Sequence, residues 1–319
     1  MTDDVRDPRE PAPPPATPSE GPSPTPPEEL VPERRQDGRR ASERRPTSIR
    51  RAIRDELAED PTDEYYSETH PQEHRVAPVI ELDHVYLAFD RPILEDVSLE
   101  ARKGETICLV GESGTGKSTT LKLILRLLVP DRGKVYIHGE DITGLTFEEA
   151  LQERQKMGMV FQSAALFDSM TVFENVAYPL REHTELDDDE IEHRVREKLA
   201  FVDLDPDQVM GQLPSQLSGG MRKRVGIARG MANNPQIMLY DEPTSGLDPL
   251  TTGTITRLIK KLQRELDVTS VVVSHDIRSV FRMATKVAVL HNRHIEFFGT
   301  PEEMAGSEDR YLRDFLGGY

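Results

Sequence analysis

The chain has 319 residues, a formal net charge of −17 and an isoelectric point near 5.0. This acidic balance excludes the basic footprint that a nucleic-acid-binding protein needs, so we expect no nucleic-acid partner. No apolar run approaches the roughly 20 residues that cross a bilayer, and the N-terminal sequence MTDDVRDPRE has no apolar core, so we also expect no signal peptide.

Residues 1–76 differ in composition from the rest of the chain. They hold more than half of the 24 prolines and an arginine-rich stretch that begins ERRQDGRR. Such a segment buries too little apolar surface to offset its ordering entropy, and we predict a disordered tail. Within it, TSIRRAIRDEL predicts a short amphipathic helix. Two roles stay open for that helix: a solvated tail, or a basic segment that touches anionic lipid or a partner.

From about Val79 the pattern becomes that of a folded domain, which we assign to residues 77–319. Apolar runs predict strands at VIELDHVYLAF, ILEDVSLEA, ETICLVG, KVYIHG, QIMLYDE and SVVVSH. Strands that alternate with helices predict a mostly parallel sheet covered on both faces, and residues from about 163 to 232 predict an inserted helical subdomain. The single cysteine, Cys108, lies in the third strand, where we expect a buried apolar side chain in a reducing compartment.

A glycine-rich turn, GESGTGKS, follows the third strand and precedes an apolar helix. Its spacing fits the pattern G-x-x-x-x-G-K-[ST], in which backbone N–H groups and a helix N-terminus face phosphate oxygens. We expect Lys117 to reach the β and γ phosphates of a nucleotide and Ser118 to bind Mg²⁺. The predicted nucleotide-binding residues of this turn are Gly111, Glu112, Ser113, Gly114, Thr115, Gly116, Lys117, Ser118 and Thr119.

Two further strands end in polar residues that belong at the same edge of the sheet. QIMLYDE ends in Asp241 and Glu242, and SVVVSH ends in His275. Because ligands bind at the carboxyl ends of parallel strands, we expect Asp241 to hold Mg²⁺ through water. We expect Glu242 to orient and activate an attacking water molecule. His275 is placed to contact a γ-phosphate, although a lone histidine is more often structural.

The segment LPSQLSGGMRKRV indicates the family. LSGG opens a helix with Ser218 as its N-cap and resembles the signature motif of the ABC ATPases. The resemblance covers residues 79–300, and Met221 departs from the glutamine that many members carry. The other motifs of that family follow in its order: the phosphate-binding turn, Gln162, the signature, Glu242, Asp248 and His275.

The resemblance implies a P-loop NTPase of the ABC ATPase type, with a mostly parallel core sheet, an antiparallel β subdomain and the inserted helical subdomain. It implies ATP and Mg²⁺ as ligands, and a homodimer that sandwiches two ATP molecules. In that dimer, the signature of one subunit meets the nucleotide held by the other. The residues that it assigns are catalytic Glu242, His275 and Gln162; metal-binding Ser118, Gln162 and Asp241; signature Leu217, Ser218, Gly219 and Gly220; and Asp248 on the dimer loop.

An aromatic residue stacks on adenine in this family, and Phe89 matches its position. Tyr86 is the alternative candidate for stacking on adenine, although the spacing to the next strand favours Phe89.

The stretch that follows Gln162 reads SAALF. In transporter ATPases this region docks a helix of the membrane permease, so the resemblance implies an exposed apolar patch there for an integral-membrane partner. The alternative is that these residues belong to the core of the subdomain. The predicted patch comprises Ala164, Ala165, Leu166 and Phe167, and Thr171 and Glu174 then form a capping box for the next helix.

The run SAALFDSMTVFENVAYPLREHTEL and a short C-terminal helix at about 307–316 resemble the ATPase of Mla-type (MCE) phospholipid transport systems. That resemblance implies a permease, an MCE-domain protein and a possible STAS-domain subunit as partners. It also implies a place at the cytoplasmic face of the inner membrane and movement of phospholipid between the two membranes. The alternatives are the ATPase of a small-solute importer and a non-transport ABC protein.

Overall fold

The computed structural model of the protein describes residues 77–317. The tail predicted over 1–76, with its amphipathic helix, lies outside the described residues, as do the last two residues of the chain. Within 77–317, no helix is long and apolar enough to cross a bilayer.

One sheet of the domain is antiparallel and has the strand order β2-β1-β4-β5. Its first strand alternates buried and less buried residues, as expected for a sheet with one covered face. The prediction of an antiparallel β subdomain is therefore confirmed. Its strands are β1 (Ile80–Ala88), β2 (Pro92–Ala101), β4 (Arg132–Ile137) and β5 (Glu140–Asp141).

The second sheet has the order β10-β9-β3-β8-β7-β6, and only its β10–β9 pair is antiparallel among the described strands. All residues of β3 and β8 are buried, because helices cover one face of the sheet, and a helix together with the antiparallel sheet covers the other. This confirms the mostly parallel core. Its strands are β3 (Thr106–Val110), β6 (Met157–Val160), β7 (Ile237–Asp241), β8 (Thr269–Val273), β9 (Lys286–His291) and β10 (His294–Gly299).

The helices fall into a block between β6 and β7 and a set that packs around the parallel sheet. The block comprises α3 (Val172–His183), α4 (Asp188–Phe201), α5 (Pro206–Val209), a 3-10 turn (Pro214–Gln216) and α6 (Gly219–Gly230). The others are α1 (Lys117–Ile124), α2 (Phe147–Gln155), α7 (Pro249–Leu266), α8 (Ile277–Met283), α9 (Pro301–Gly306) and α10 (Arg310–Gly317). The block therefore occupies residues 172–230, and α10 is the last helix of the described residues.

Local capping explains where two helices of the block begin. The Thr171 hydroxyl accepts a hydrogen bond from the Glu174 N–H at 3.2 Å, and the Glu174 carboxylate accepts the Thr171 N–H at 2.7 Å. This reciprocal pair is the predicted capping box at the start of α3. Ser218 caps α6 by accepting the Met221 N–H at 3.2 Å. Both predicted caps are confirmed.

Two apolar clusters lie on opposite faces of the parallel sheet, since alternate residues of β3 belong to different clusters. Cys108 of β3 is fully buried in one of them, and burial raises the pKa of its thiol. The side chain therefore packs as a small apolar group, as predicted.

Gly158 on β6 provides a test of how tightly the helical block packs on the sheet. A Cβ atom there would overlap the Met238 sulfur and the Gly230 carbonyl oxygen. We expect Gly158→Ala to lower the free energy of unfolding by about 1–3 kcal/mol, since overpacking displaces the backbone. Thermal unfolding measures the effect. Gly144→Ala is the control, because a Cβ atom at Gly144 meets nothing within 4 Å; equal melting temperatures for the two variants would contradict this packing.

Candidate functional site

A cavity of about 610 Å³ opens at the carboxyl ends of β3, β7 and β8. Parallel pairing brings these three strand ends to one edge of the sheet, which is where ligands bind in open α/β folds. The predicted residues that line the cavity are Gly111, Glu112, Ser113, Gly114, Gly116, Lys117, Ser118, Thr119, Gln162, Asp241, Glu242 and His275; Ile93 and Val273 complete the lining. Thr115 and Phe89, which the sequence also assigns to the nucleotide, do not line it.

The turn between β3 and α1 requires glycine at two positions. Gly111 and Gly116 have φ angles of 148° and 109°, a backbone conformation that residues other than glycine rarely adopt. A Cβ atom on Gly111 would overlap the Leu290 carbonyl oxygen, and one on Gly116 would meet the Leu94 side chain at 2.7 Å. The backbone N–H groups and the N-terminus of α1 thus form a compact cradle for an anion.

Lys117 lies at the base of this cradle. Its Nζ donates hydrogen bonds to the carbonyl oxygens of Gly111 at 2.8 Å and Glu112 at 2.7 Å, so the side chain spans the turn. Burial lowers the pKa of the Lys117 ammonium, and the carboxylates of Glu242 and Asp241 oppose that effect. The arrangement concentrates positive charge where the phosphates of a nucleotide would lie.

Ser118 and Asp241 form a pair of oxygen groups beside the cradle. The Ser118 hydroxyl donates to the Asp241 carboxylate at 2.9 Å. One hydroxyl and one carboxylate fit Mg²⁺, which prefers hard oxygen ligands and takes most of the others from phosphate and water. Gln162 also lines the cavity, and its amide Nε2 donates to the Ser245 hydroxyl at 3.2 Å.

Glu242 and His275 form the second polar pair of the site. The Glu242 Oε2 and His275 Nδ1 atoms lie 2.6 Å apart, and Glu242 is the more buried of the two side chains. Glu242 has a φ of 52°, a left-handed conformation that is unfavourable for a residue with a Cβ atom. Its N–H donates to the Val273 carbonyl at 2.9 Å, which anchors this backbone conformation to β8.

The signature residues lie away from this cavity, at the start of α6. Ser218 and Gly219 are exposed, whereas Leu217 and Gly220 are buried. A Cβ atom on Gly220 would overlap the Thr251 side chain of α7, so the glycine permits this close contact. None of the four signature residues lines the cavity that holds Lys117.

Asp248 is the N-cap of α7. Its carboxylate accepts the N–H groups of Leu250 at 3.0 Å and Thr251 at 3.1 Å. The sequence prediction placed Asp248 on a dimer loop and missed this cap, which the following Pro249 signals.

The two aromatic candidates for adenine differ in exposure. The Phe89 side chain is 60% exposed, whereas Tyr86 is half-buried on β1. The Phe89 ring is therefore the more accessible one, and its role on adenine stays a prediction.

A groove of about 360 Å³ lies where the SAALF loop meets α2, α3 and α6. Ala165 and Phe167 line it, but Ala164 is buried, because its side chain packs against Gly226 of α6. The prediction that Ala164 belongs to an exposed patch is wrong. Leu166 is half-buried against the apolar core and does not line the groove, which favours the alternative of a core residue. For Phe167, which is 42% exposed, docking stays a prediction.

Arg229 and Asn175, which the sequence analysis does not identify, hold the SAALF loop in place. Ala164 and Ala165 have successive φ angles of 63° and 47°, and their carbonyl oxygens accept hydrogen bonds from the Arg229 guanidinium at 3.0 and 2.8 Å. The fully buried Asn175 amide accepts the Phe167 N–H at 2.8 Å and donates to the Phe167 carbonyl at 3.1 Å. An asparagine on the buried face of α3 is the signal for such a role, since buried amides need partners.

Comparisons with known proteins agree with this geometry. Residues 94–245 match the sequence profile of a family described as "ABC transporter". The intermembrane phospholipid transport system ATP-binding protein MlaF of Haemophilus influenzae is 40% identical over 229 residues, which are 72% of this chain and 86% of that protein. The probable ribonucleotide transport ATP-binding protein mkl of Mycobacterium tuberculosis H37Rv is 42% identical over 226 residues, which are 71% of this chain and 62% of that protein.

Among solved structures, a dimeric post-hydrolysis state of the ATP-binding cassette MJ0796 bound to ADP and Pi superposes with a TM-score of 0.64 at 35% identity. The match covers 69% of this chain and 98% of that one. These comparisons confirm the predicted fold class and the predicted resemblance to Mla-type ATP-binding subunits.

Asn175 provides a test of the loop that borders the groove. Its amide Nδ2 also donates to the carbonyls of Met170 and Thr171, both at 3.0 Å. We expect Asn175→Ala to lower the free energy of unfolding by about 2–4 kcal/mol, because it removes the side-chain partner of the Phe167 N–H and of the Met170 carbonyl. Asn175→Asp should cost more, since a carboxylate would face those carbonyl oxygens. Urea unfolding measures both, and an unchanged midpoint in both variants would contradict this role.

Proposed function

The chain belongs to the family of ABC transporter ATP-binding subunits, and we propose that it hydrolyses ATP to drive phospholipid transport between the inner and outer membranes. The main support for the proposal is that one cavity is lined by Lys117, Ser118, Asp241, Glu242 and His275. The cradle binds anionic phosphates, and the two polar pairs supply the groups that phosphoryl transfer to water requires.

The residues of the cavity have different roles in the proposed hydrolysis. The N–H groups of the glycine-rich turn bind the phosphates, and the Lys117 ammonium neutralises charge on the β and γ groups. Ser118 and Asp241 would hold Mg²⁺, with Gln162 as a further ligand; the ion would supply charge neutralisation. Glu242 orients the attacking water and accepts its proton. His275, held by Glu242 at 2.6 Å, contacts the γ-phosphate.

The signature motif supports a homodimer as the active form. Ser218 and Gly219 are exposed at the N-terminus of a twelve-residue helix, α6, outside the cavity of their own chain. A helix N-terminus favours an anion, and we propose that this one contacts the γ-phosphate held by Lys117 of a second copy. Asp248 and the helix it caps would then lie at the dimer interface. Closing of the dimer completes both sites, so hydrolysis follows closure.

The names of the relatives differ in the transported substrate, since MlaF is named for phospholipid and mkl for ribonucleotide. The chain spans 62% of the mkl sequence but 86% of MlaF, which supports phospholipid. We propose the Mla-type partners: an integral-membrane permease, an MCE-domain protein and a STAS-domain subunit. Through the permease, the subunit would be held at the cytoplasmic face of the inner membrane.

The groove beside the SAALF loop is the proposed docking site for the permease. Phe167 and Tyr178 form an aromatic pair on its wall, with ring centroids 5.1 Å apart. Arg154, His183 and Arg229 also line the groove, and none of its described lining residues carries a carboxylate. A helix with an apolar face and an acidic residue fits this combination.

Glu242→Gln tests the hydrolytic assignment. The variant should bind ATP and accumulate as a closed dimer, because the amide cannot accept a proton from water. We expect the turnover number to fall by about 10²-fold or more. Phosphate release measures turnover, and gel filtration with ATP measures dimerisation. Lys117→Ala is the control, since it should lose ATP binding and the dimer together. Full turnover in Glu242→Gln would remove Glu242 from the catalytic role.

Phe167→Asp tests the docking assignment. A carboxylate on the wall of the groove should repel the acidic face of the permease segment and cut co-purification with the permease about tenfold or more. Leu266→Asp is the matched control, because Leu266 is an exposed apolar residue, 45% accessible, that does not line the groove. Quantitative mass spectrometry of the purified complex gives the ratio. Equal recovery of the permease with both variants would place the docking site elsewhere.

A further inference from the structure

Lys223 is a buried lysine that the proposed mechanism does not use. It lies on α6, five residues after the Ser218 cap, and its side chain is only 6% exposed. The neighbouring Arg222 and Arg224 have other roles: Arg222 donates to the Leu217 carbonyl at 2.6 Å and Arg224 to the Asp203 carbonyl at 2.7 Å. Three adjacent basic residues suggest one basic surface, but in this run, RKR, the central side chain of Lys223 is buried.

The ammonium of Lys223 reaches the main chain of two cavity residues. Nζ donates to the carbonyl oxygen of Gln162 and to that of Glu242, the latter at 3.2 Å. Gln162 precedes the loop that borders the groove, and Glu242 has the unfavourable left-handed φ of 52°. One side chain therefore connects the helix of the signature motif, α6, to the main chain at Gln162 and at Glu242, the residue proposed to activate water.

A charged group at this position is costly. Burial lowers the pKa of the Lys223 ammonium, and the Glu242 carboxylate opposes that effect. A methionine would fill a similar volume without the desolvation cost. Lys198 of α4 is also buried, but its charge is paired, as is usual for a buried lysine. Its Nζ lies 2.9 Å from the Glu197 carboxylate and donates to the Asn234 amide oxygen at 2.7 Å. Lys223 instead donates to carbonyl oxygens at the site.

We propose that Lys223 is a positioning residue, which fixes the main chain of Gln162 and Glu242 and thereby ties both to the signature helix of the same chain. The inference rests on the proposed ATP hydrolysis. Because α6 would serve the nucleotide of the partner subunit, a shift of that helix changes the position of Glu242 at its own nucleotide. Hydrogen bonds weaken steeply with distance and angle, so a small movement of α6 would release both carbonyls.

Lys223→Met tests the proposal, with Lys198→Met as the matched control for loss of a buried lysine in the same helical block. We expect Lys223→Met to keep the Kd for ATP within about threefold and to lower kcat about tenfold or more, since it displaces a group that acts on the water. Lys223→Arg keeps the donors and should recover most of that loss. Lys198→Met should leave kcat unchanged at a similar cost in thermal stability.

Hydrogen exchange supplies a second readout that does not depend on activity. The amides of residues 161–167 and of Glu242 should exchange faster in Lys223→Met than in Lys198→Met. Wild-type kcat in Lys223→Met, or an equal fall in both variants, would overturn the proposal. Absence of hydrolysis in the wild type would contradict the proposed function. In that case, unchanged exchange at these amides in Lys223→Met would overturn the positioning role of Lys223. Should Lys223→Met not fold, Lys223→Gln carries the same comparison.

Discussion

The parallel pairing of β3, β8 and β7 is the constraint on which the site depends. Leu109 lies beside Val273, and Val273 lies beside Asp241, so the three strands end on one line across the sheet. The glycine-rich turn, the pair Asp241–Glu242 and His275 follow directly from these ends. Each group comes from a distant part of the chain, yet main-chain hydrogen bonds hold them within one cavity. A slip of one residue in β7 would turn the Asp241 side chain away from the phosphate cradle.

Charges of both signs meet at this edge, where the phosphate cradle suits anionic oxygens and the carboxylates suit a cation. Lys117 and the helix N-terminus attract anions, while Asp241 and Glu242 lie close enough to oppose the effect of burial on the Lys117 pKa. The backbone at Glu242 is itself held in an unfavourable conformation by a bond to β8 and by Lys223. Such strain persists where the surrounding structure fixes the geometry, as at sites that position reacting groups.

Contiguous motifs made most of the fold and cavity predictable from the sequence. The glycine-rich turn, the strand ends and the capping box at Thr171 depend on residues within a few positions of one another, and the structure places them as expected. The SAALF loop was harder, because an irregular loop has no period that separates buried from exposed residues. Ala164 is buried against Gly226, which lies far along the chain. Lys223 and Arg229 act on carbonyls of distant loops, and side-chain type alone does not report such contacts.

The most direct test of phospholipid transport is to purify the protein from its native membranes in mild detergent and to identify the co-purifying proteins by mass spectrometry. We predict an integral-membrane permease together with an MCE-domain protein. A permease with a solute-binding protein would instead indicate small-solute import. Recovery of the ATPase without any membrane protein would contradict a role in transport.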